Sequence, residues 1–155
     1  MSADLFARSF DELEVGERFA SRGRTITESD VVSFAALTGD WHPQHADVEF
    51  ASTSPFGERI AHGLLVLSYS IGLVPFDPQR IVALRKLSNV AFKEPVRLGD
   101  TVSVAGEVTR TTEVGPELGL VTCGWRIRNQ RGATVVRAAL EILWRRDAVE
   151  QARRR

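Results

Sequence analysis

The 155 residues carry 20 lysines and arginines against 20 aspartates and glutamates, and a formal charge of zero excludes a chain that holds nucleic acid or a membrane through bulk charge. An apolar fraction of 43% over this length fits one buried core, so a single domain over 1–155 is expected. Cys123 has no second cysteine to pair with and is expected to be buried and inert. "MSADLFARSFDELEVGERF" lacks the apolar centre of a signal peptide, and no run approaches the roughly 20 apolar residues of a membrane span, which predicts a cytoplasmic protein.

Along the chain, "ERFASRGRTI" reads as an early strand. In "TESD", Thr27 caps a helix and Asp30 falls in its favourable first turn. Val31, Phe34, Ala35 and Leu37 give that helix its apolar face, and Gly39 ends it. "GDWHPQHAD" follows, placing two of the three histidines around Pro43 beside Asp40. A short helix covers "ADVEFAST", and Pro55 with Gly57 mark a loop. "AHGLLVLSYSIGLV", Ala61 to Val74, is apolar almost all round, which predicts a buried helix stopped by Pro75.

The second half is strand-like. "RIVALRKLSNVAFKEPV", "DTVSVAGEVTRTTEV", "GLVTCGWRIRNQRG" and "ATVVRAALEILWRR" are rich in Val, Thr and aromatics, with turn residues between them. In "TVSVAGEVTR", Val102, Val104 and Gly106 alternate with Thr101, Ser103, Ala105 and Glu107, the pattern of a strand with one face on a core. The fold class expected is α+β, about five long antiparallel strands wrapped around one buried helix. Residues 145–155 read as a charged, frayed helical tail.

This order of elements, with "GDWHPQHAD" and "FGERIAHGLLVLS", resembles the MaoC-like (R)-specific enoyl-CoA hydratases, a hot-dog family. The resemblance runs from Phe10 to Trp144 and rests on Asp40, Pro43, His45, Asp47 and the pair His62-Gly63 at the family spacing. It implies reversible syn addition of water to a trans-2-enoyl thioester. Coenzyme A or an acyl carrier protein would form part of the substrate, with no separate cofactor and no metal, and the protein would be a homodimer.

Such chemistry needs a group to take a proton from water, one to deliver a proton to the α carbon, and a donor for the thioester oxygen. Asp40 and His45 can supply the first two if the turn at Pro43 folds their segment back. By resemblance they share one water. The backbone N–H of Gly63, unpaired at a helix start, would meet the thioester carbonyl. His62 is expected to fix the loop entering the helix. The resemblance puts Ser68 near Asp40, with a helix serine bonding its own backbone as the alternative, and Trp41, Phe56 and Phe76 are expected to line the acyl tunnel. Arg85 and Lys86 are candidates for phosphate contacts at its entrance.

His42 departs from the family pattern, where asparagine commonly precedes the proline. An imidazole still offers a hydrogen bond there, but it is larger and it titrates. A metal site of His42, His45 and His62 with Asp40 lacks the helical or cysteine-rich spacing of ordinary metal sites. Two other functions fit the fold class. A hot-dog thioesterase generally places its carboxylate on the central helix, where "HGLLVLSYSIGLV" has none. A non-catalytic acyl-thioester-binding or structural subunit would have no use for the Asp40–His45 pair.

Overall fold

A computed structural model describes residues 5–147. Two 3-10 turns, Leu5–Ala7 and Phe10–Glu12, precede two short strands, β1 (Arg18–Ala20) and β2 (Arg24–Thr25). Helices α1 (Glu28–Thr38), α2 (Pro43–Ala46), α3 (Val48–Ser52) and α4 (Gly63–Leu73) follow. Four long strands complete the chain: β3 (Ile81–Phe92), β4 (Thr101–Glu113), β5 (Leu118–Arg128) and β6 (Thr134–Arg145). The sheet is antiparallel in the order β1-β4-β5-β6-β3, with β2 also on β4. The early strand expected at "ERFASRGRTI" is therefore two fragments, and the long strands number four among the described residues.

Alternation decides which face of the sheet meets the core. Val102, Val104 and Val108 of β4, and Val121, Cys123, Trp125 and Ile127 of β5, are buried at every second position. They pack with Leu140, Ile142 and Trp144 of β6 and with Leu65, Val66 and Leu67 of α4. Burial pushes the Cys123 thiol up to about 12, so it stays protonated and unreactive at neutral pH.

The N-terminal turns are part of this core. Phe6 stacks on Trp144 at 5.6 Å and meets Phe19 and Phe76 edge-on at 4.9 and 5.1 Å. Trp144 Nε1 donates to Arg8 O at 2.9 Å, which ties the first described turn to the last strand. The start of the expected frayed tail is also held: Arg146 pairs with Asp11 at 2.6 Å, and Asp147 with Arg80 at 2.6 Å. Residues 148–155 lie outside the described residues.

Helix α4 is buried less completely than its composition suggests. Leu64, Ser68 and Gly72, one residue per turn along a single side, are exposed, because the sheet covers only the opposite side. Strand β3 is likewise an edge. Among the described residues it pairs with β6 alone, and Val82, Leu84, Leu87, Val90 and Phe92 are exposed along it. Near its end a register shift between Ser88 and Ala91 contains Asn89, whose φ of 52° is left-handed, and beyond it Phe92 lies against Gly63 at the start of α4.

Phe6 fills the junction between the N-terminal turns and the sheet, so Phe6→Ala leaves a void that rigid strands cannot close. A loss of about 3–5 kcal/mol in unfolding free energy is expected, measured by chemical denaturation.

Candidate active site

Helix α1 delivers Asp40 to the site. Its start is closed reciprocally: Asp30 N–H donates to Thr27 Oγ1 at 3.2 Å and Thr27 N–H to Asp30 Oδ2 at 2.8 Å. Gly39 ends it at φ 79°, a left-handed conformation that a side chain would strain, while its N–H still reaches Ala35 O. The chain then turns sharply. Asp40 N–H donates to Thr38 Oγ1 at 3.2 Å, and the Asp40 carboxylate accepts the His42 N–H at 3.3 Å.

Helix α2 is a single turn carrying His45. Pro43 opens it, where a missing N–H costs nothing, and His42 Nδ1 accepts the Gln44 N–H at 3.1 Å as the cap. His42 thus supplies an acceptor where a capping asparagine would offer its side-chain oxygen. His45 Nδ1 lies 2.7 Å from Ile60 O. A carbonyl only accepts, so Nδ1 carries the proton and Nε2 is the atom left for chemistry. The Ile60 segment is itself pinned by a two-pronged Arg59–Glu28 ion pair at 2.8 and 2.6 Å and by Ala61 N–H on Val96 O at 2.8 Å.

His62 lies beneath both groups. It is 2% exposed, and its Nε2 donates to the backbone oxygen of Asp40 at 3.0 Å. Its ring stacks on that of His45 with centroids 3.9 Å apart and planes 28° from parallel. Gly63 is the first residue of α4, so its N–H has no intrahelical acceptor. A Cβ built on Gly63 would lie 2.5 Å from the Phe92 ring, so glycine is what allows the end of β3 to close on the helix start.

These residues face one cavity of about 470 Å³. Asp40, His45, His62 and Gly63 line one part of it. Phe34, Phe56, Val66, Phe92 and Val136 give it apolar walls, and Lys93 and Glu94 stand among its lining residues. This is the size and character of a small-molecule site.

Of the residues expected to meet the acyl chain, Phe56 lines the cavity. Trp41 is 53% exposed and Phe76 packs in the core, edge-on to Phe6; neither lines it. Ser68 is turned away from Asp40: its hydroxyl donates to Leu64 O at 2.7 Å, and it borders a separate depression with Arg22 and Tyr69. Arg85 and Lys86 are absent from the lining, and Lys86 sits 4.0 Å from Glu141 on the sheet. The cationic lining residue is Lys93. Phe34 read as core and Phe92 as an ordinary strand residue, and no local spacing marks the end of β3 as a neighbour of the α4 start.

Ligand atoms of Asp40, His45 and His62 lie within 4.8 Å of one another. Nearness alone does not make a chelate. Imidazole binds an ion in its ring plane, and two rings stacked nearly parallel do not direct their lone pairs to one point.

A curved antiparallel sheet around a helix, with this cavity at the helix start, is the hot-dog fold. Residues 12–126 match the family model described as "MaoC like domain", and the chain belongs to that family. It is 36% identical over 128 residues to the (R)-specific enoyl-CoA hydratase of Aeromonas caviae, covering 83% of this chain and 92% of that one. It is 38% identical over 108 residues to Protein MaoC of Klebsiella aerogenes, a match that covers 69% of this chain but only 32% of that protein's length. A solved structure described as a monoamine oxidase regulatory protein from Archaeoglobus fulgius superposes with a TM-score of 0.85 at 36% identity, covering 90% of this chain and 95% of that one.

Burial in the cavity, above all, lowers the pKa of His45 from 6.5; the charges of His62 and His42 act the same way, while the Ile60 carbonyl and Asp40 oppose them. Because the folded value lies below the unfolded one, this group's contribution to stability is intact above about pH 6.5 and is lost as pH falls through the folded pKa. An NMR titration of the His45 ring is expected to give a midpoint below 6.5, and His45→Ala a less acid-sensitive unfolding midpoint.

Proposed function

We propose that the protein catalyses reversible syn addition of water to a trans-2-enoyl thioester, giving an (R)-3-hydroxyacyl thioester. One observation carries this reading: the Asp40 carboxylate, the free Nε2 edge of His45 and the start of α4 at Gly63 border the same apolar-walled cavity. Water held between Asp40 and His45 loses a proton to the pair as its oxygen bonds the β carbon. A proton returns to the α carbon from the same side, so the net change is addition of H and OH. The Gly63 N–H, at the positive end of α4, stabilises the charge that builds on the thioester oxygen. His45, unprotonated at neutral pH, is in the state required to accept the proton.

The identity with an (R)-specific enoyl-CoA hydratase supports this reaction class. Coenzyme A or an acyl carrier protein would enter as part of the substrate, so no separate cofactor is invoked. Lys93, beside Phe92 in the cavity lining, would meet an anionic carrier group.

A homodimer belongs to the same proposal. The long edge β3 and its apolar side chains form a template for a second copy, and pairing would remove an exposed edge. Light scattering at micromolar concentration is expected to return twice the chain mass of 17.2 kDa; a monomer would rule the dimer out.

The reaction is tested by loss of the conjugated enoyl absorbance and chiral analysis of the product. Asp40→Asn and His45→Ala should each lower turnover by about 10²–10⁴-fold, the usual contribution of a positioned acid or base. The double variant should lose little more than either single one, because both act on one water. Additive losses would refute the shared-water arrangement.

A further inference from the structure

His42 occupies a position with specific hydrogen-bonding demands. The residue before Pro43 caps α2, and the residues favoured as caps (serine, threonine, asparagine, aspartate) present an oxygen that accepts the helix N–H. Here the acceptor is His42 Nδ1, 3.1 Å from Gln44 N. Gln44 is buried and joins two segments: its side-chain Nε2 donates to Glu58 O at 2.9 Å, and its backbone oxygen accepts Ile60 N–H at 3.3 Å. Ile60 O in turn holds His45. On the other side, the His42 N–H holds the Asp40 carboxylate. One residue therefore touches the supports of both members of the pair.

We propose that His42 is a positioning residue whose unprotonated Nδ1 holds the turn that sets Asp40 and His45, and that a proton on that nitrogen releases the turn. The inference rests on reading Asp40 and His45 as the acting pair. A protonated Nδ1 is a donor, and it would face the Gln44 N–H, which is also a donor; the cap exists in one protonation state only. Imidazole can take up a proton at this nitrogen and the oxygen of an asparagine or serine cap does not, so this cap is open to control by protonation where those are not. The segment of His42 itself brings the negative charge of Asp40 and the ring of His45, with centroids 6.1 Å apart; α3 brings the uncharged Phe50 ring at 6.1 Å. No ion pair of His42 occurs among the described residues.

The test follows the cap directly. In amide NMR spectra of the full chain from about pH 8 to 5, the Gln44 N–H resonance should move with the same midpoint as the His42 ring. In His42→Asn, whose oxygen accepts at every pH, the Gln44 resonance should not move with such a midpoint. That variant should keep turnover at neutral pH within about tenfold of the parent and lose it at lower pH than the parent does. His45 contributes an acid-side loss to both proteins, so the difference between them belongs to His42. His42→Ala, with no acceptor, should fall about fivefold below both the parent and His42→Asn near neutral pH, and the gap to the parent should close in acid, where a proton removes the same acceptor. A Gln44 resonance that ignores the His42 midpoint, or one that titrates unchanged in His42→Asn, overturns the proposal. So does a folded His42→Ala protein with parental turnover and pH profile. If neither protein acts on enoyl thioesters, the proposed reaction fails, while the Gln44 resonance still decides the cap.

Discussion

The hydrogen bond from His62 Nε2 to the backbone oxygen of Asp40 joins two elements 22 residues apart, and the geometry of the site depends on it. A donor this deeply buried must find an acceptor, and the carbonyl it finds belongs to the residue that turns the chain after α1. Because His62 also forms the cap position of α4, the bond fixes the helix start and the Asp40 turn in one frame. The stacked His45 ring then has a floor, and its orientation is completed by Ile60 O. Shifting His62 would move the carboxylate, the imidazole and the Gly63 N–H together.

Asp40 and His45 share a cavity but occupy different environments. The carboxylate is exposed and the imidazole half-buried, and burial is the largest cause that lowers the pKa of His45, the group the proposed reaction needs unprotonated. Apolar walls sharpen the local field, because fixed donors such as a helix N-terminus act more strongly where water is displaced. Phe92 serves both ends of this arrangement. It packs over Gly63, lines the cavity, and is one of the exposed apolar residues of the β3 edge, so the wall of the site is continuous with the surface proposed to meet a second copy.

The core explains why so small a set of helices can be held firmly. Phe6, Phe19, Phe76, Trp125 and Trp144 form a connected aromatic group, with centroid separations from 4.9 to 6.4 Å, that joins the N-terminal turns, β1, β5 and β6. Phe76 belongs here and not in the tunnel wall where it was expected. Aromatic rings at a chain reversal look alike in sequence whether they face a ligand or a core, since both are apolar surroundings.

Local chemistry was readable because its causes are local. The Thr27–Asp30 cap, the stop at Gly39, the turn at Pro43, the Asp40–His45 spacing and the alternation along β4 all depend on residues within a few positions of one another. Those signals were enough for the fold class, and they singled out two residues, Asp40 and His45, that line one cavity. The role of His62 as the link beneath that pair, the outward turn of Ser68, the inward place of Phe34 and the approach of Phe92 to Gly63 were decided by the tertiary structure. Each depends on which side of a helix the sheet leaves uncovered, or on where a bulged edge strand ends. Such facts arise between segments tens of residues apart, and no periodicity within either segment records them.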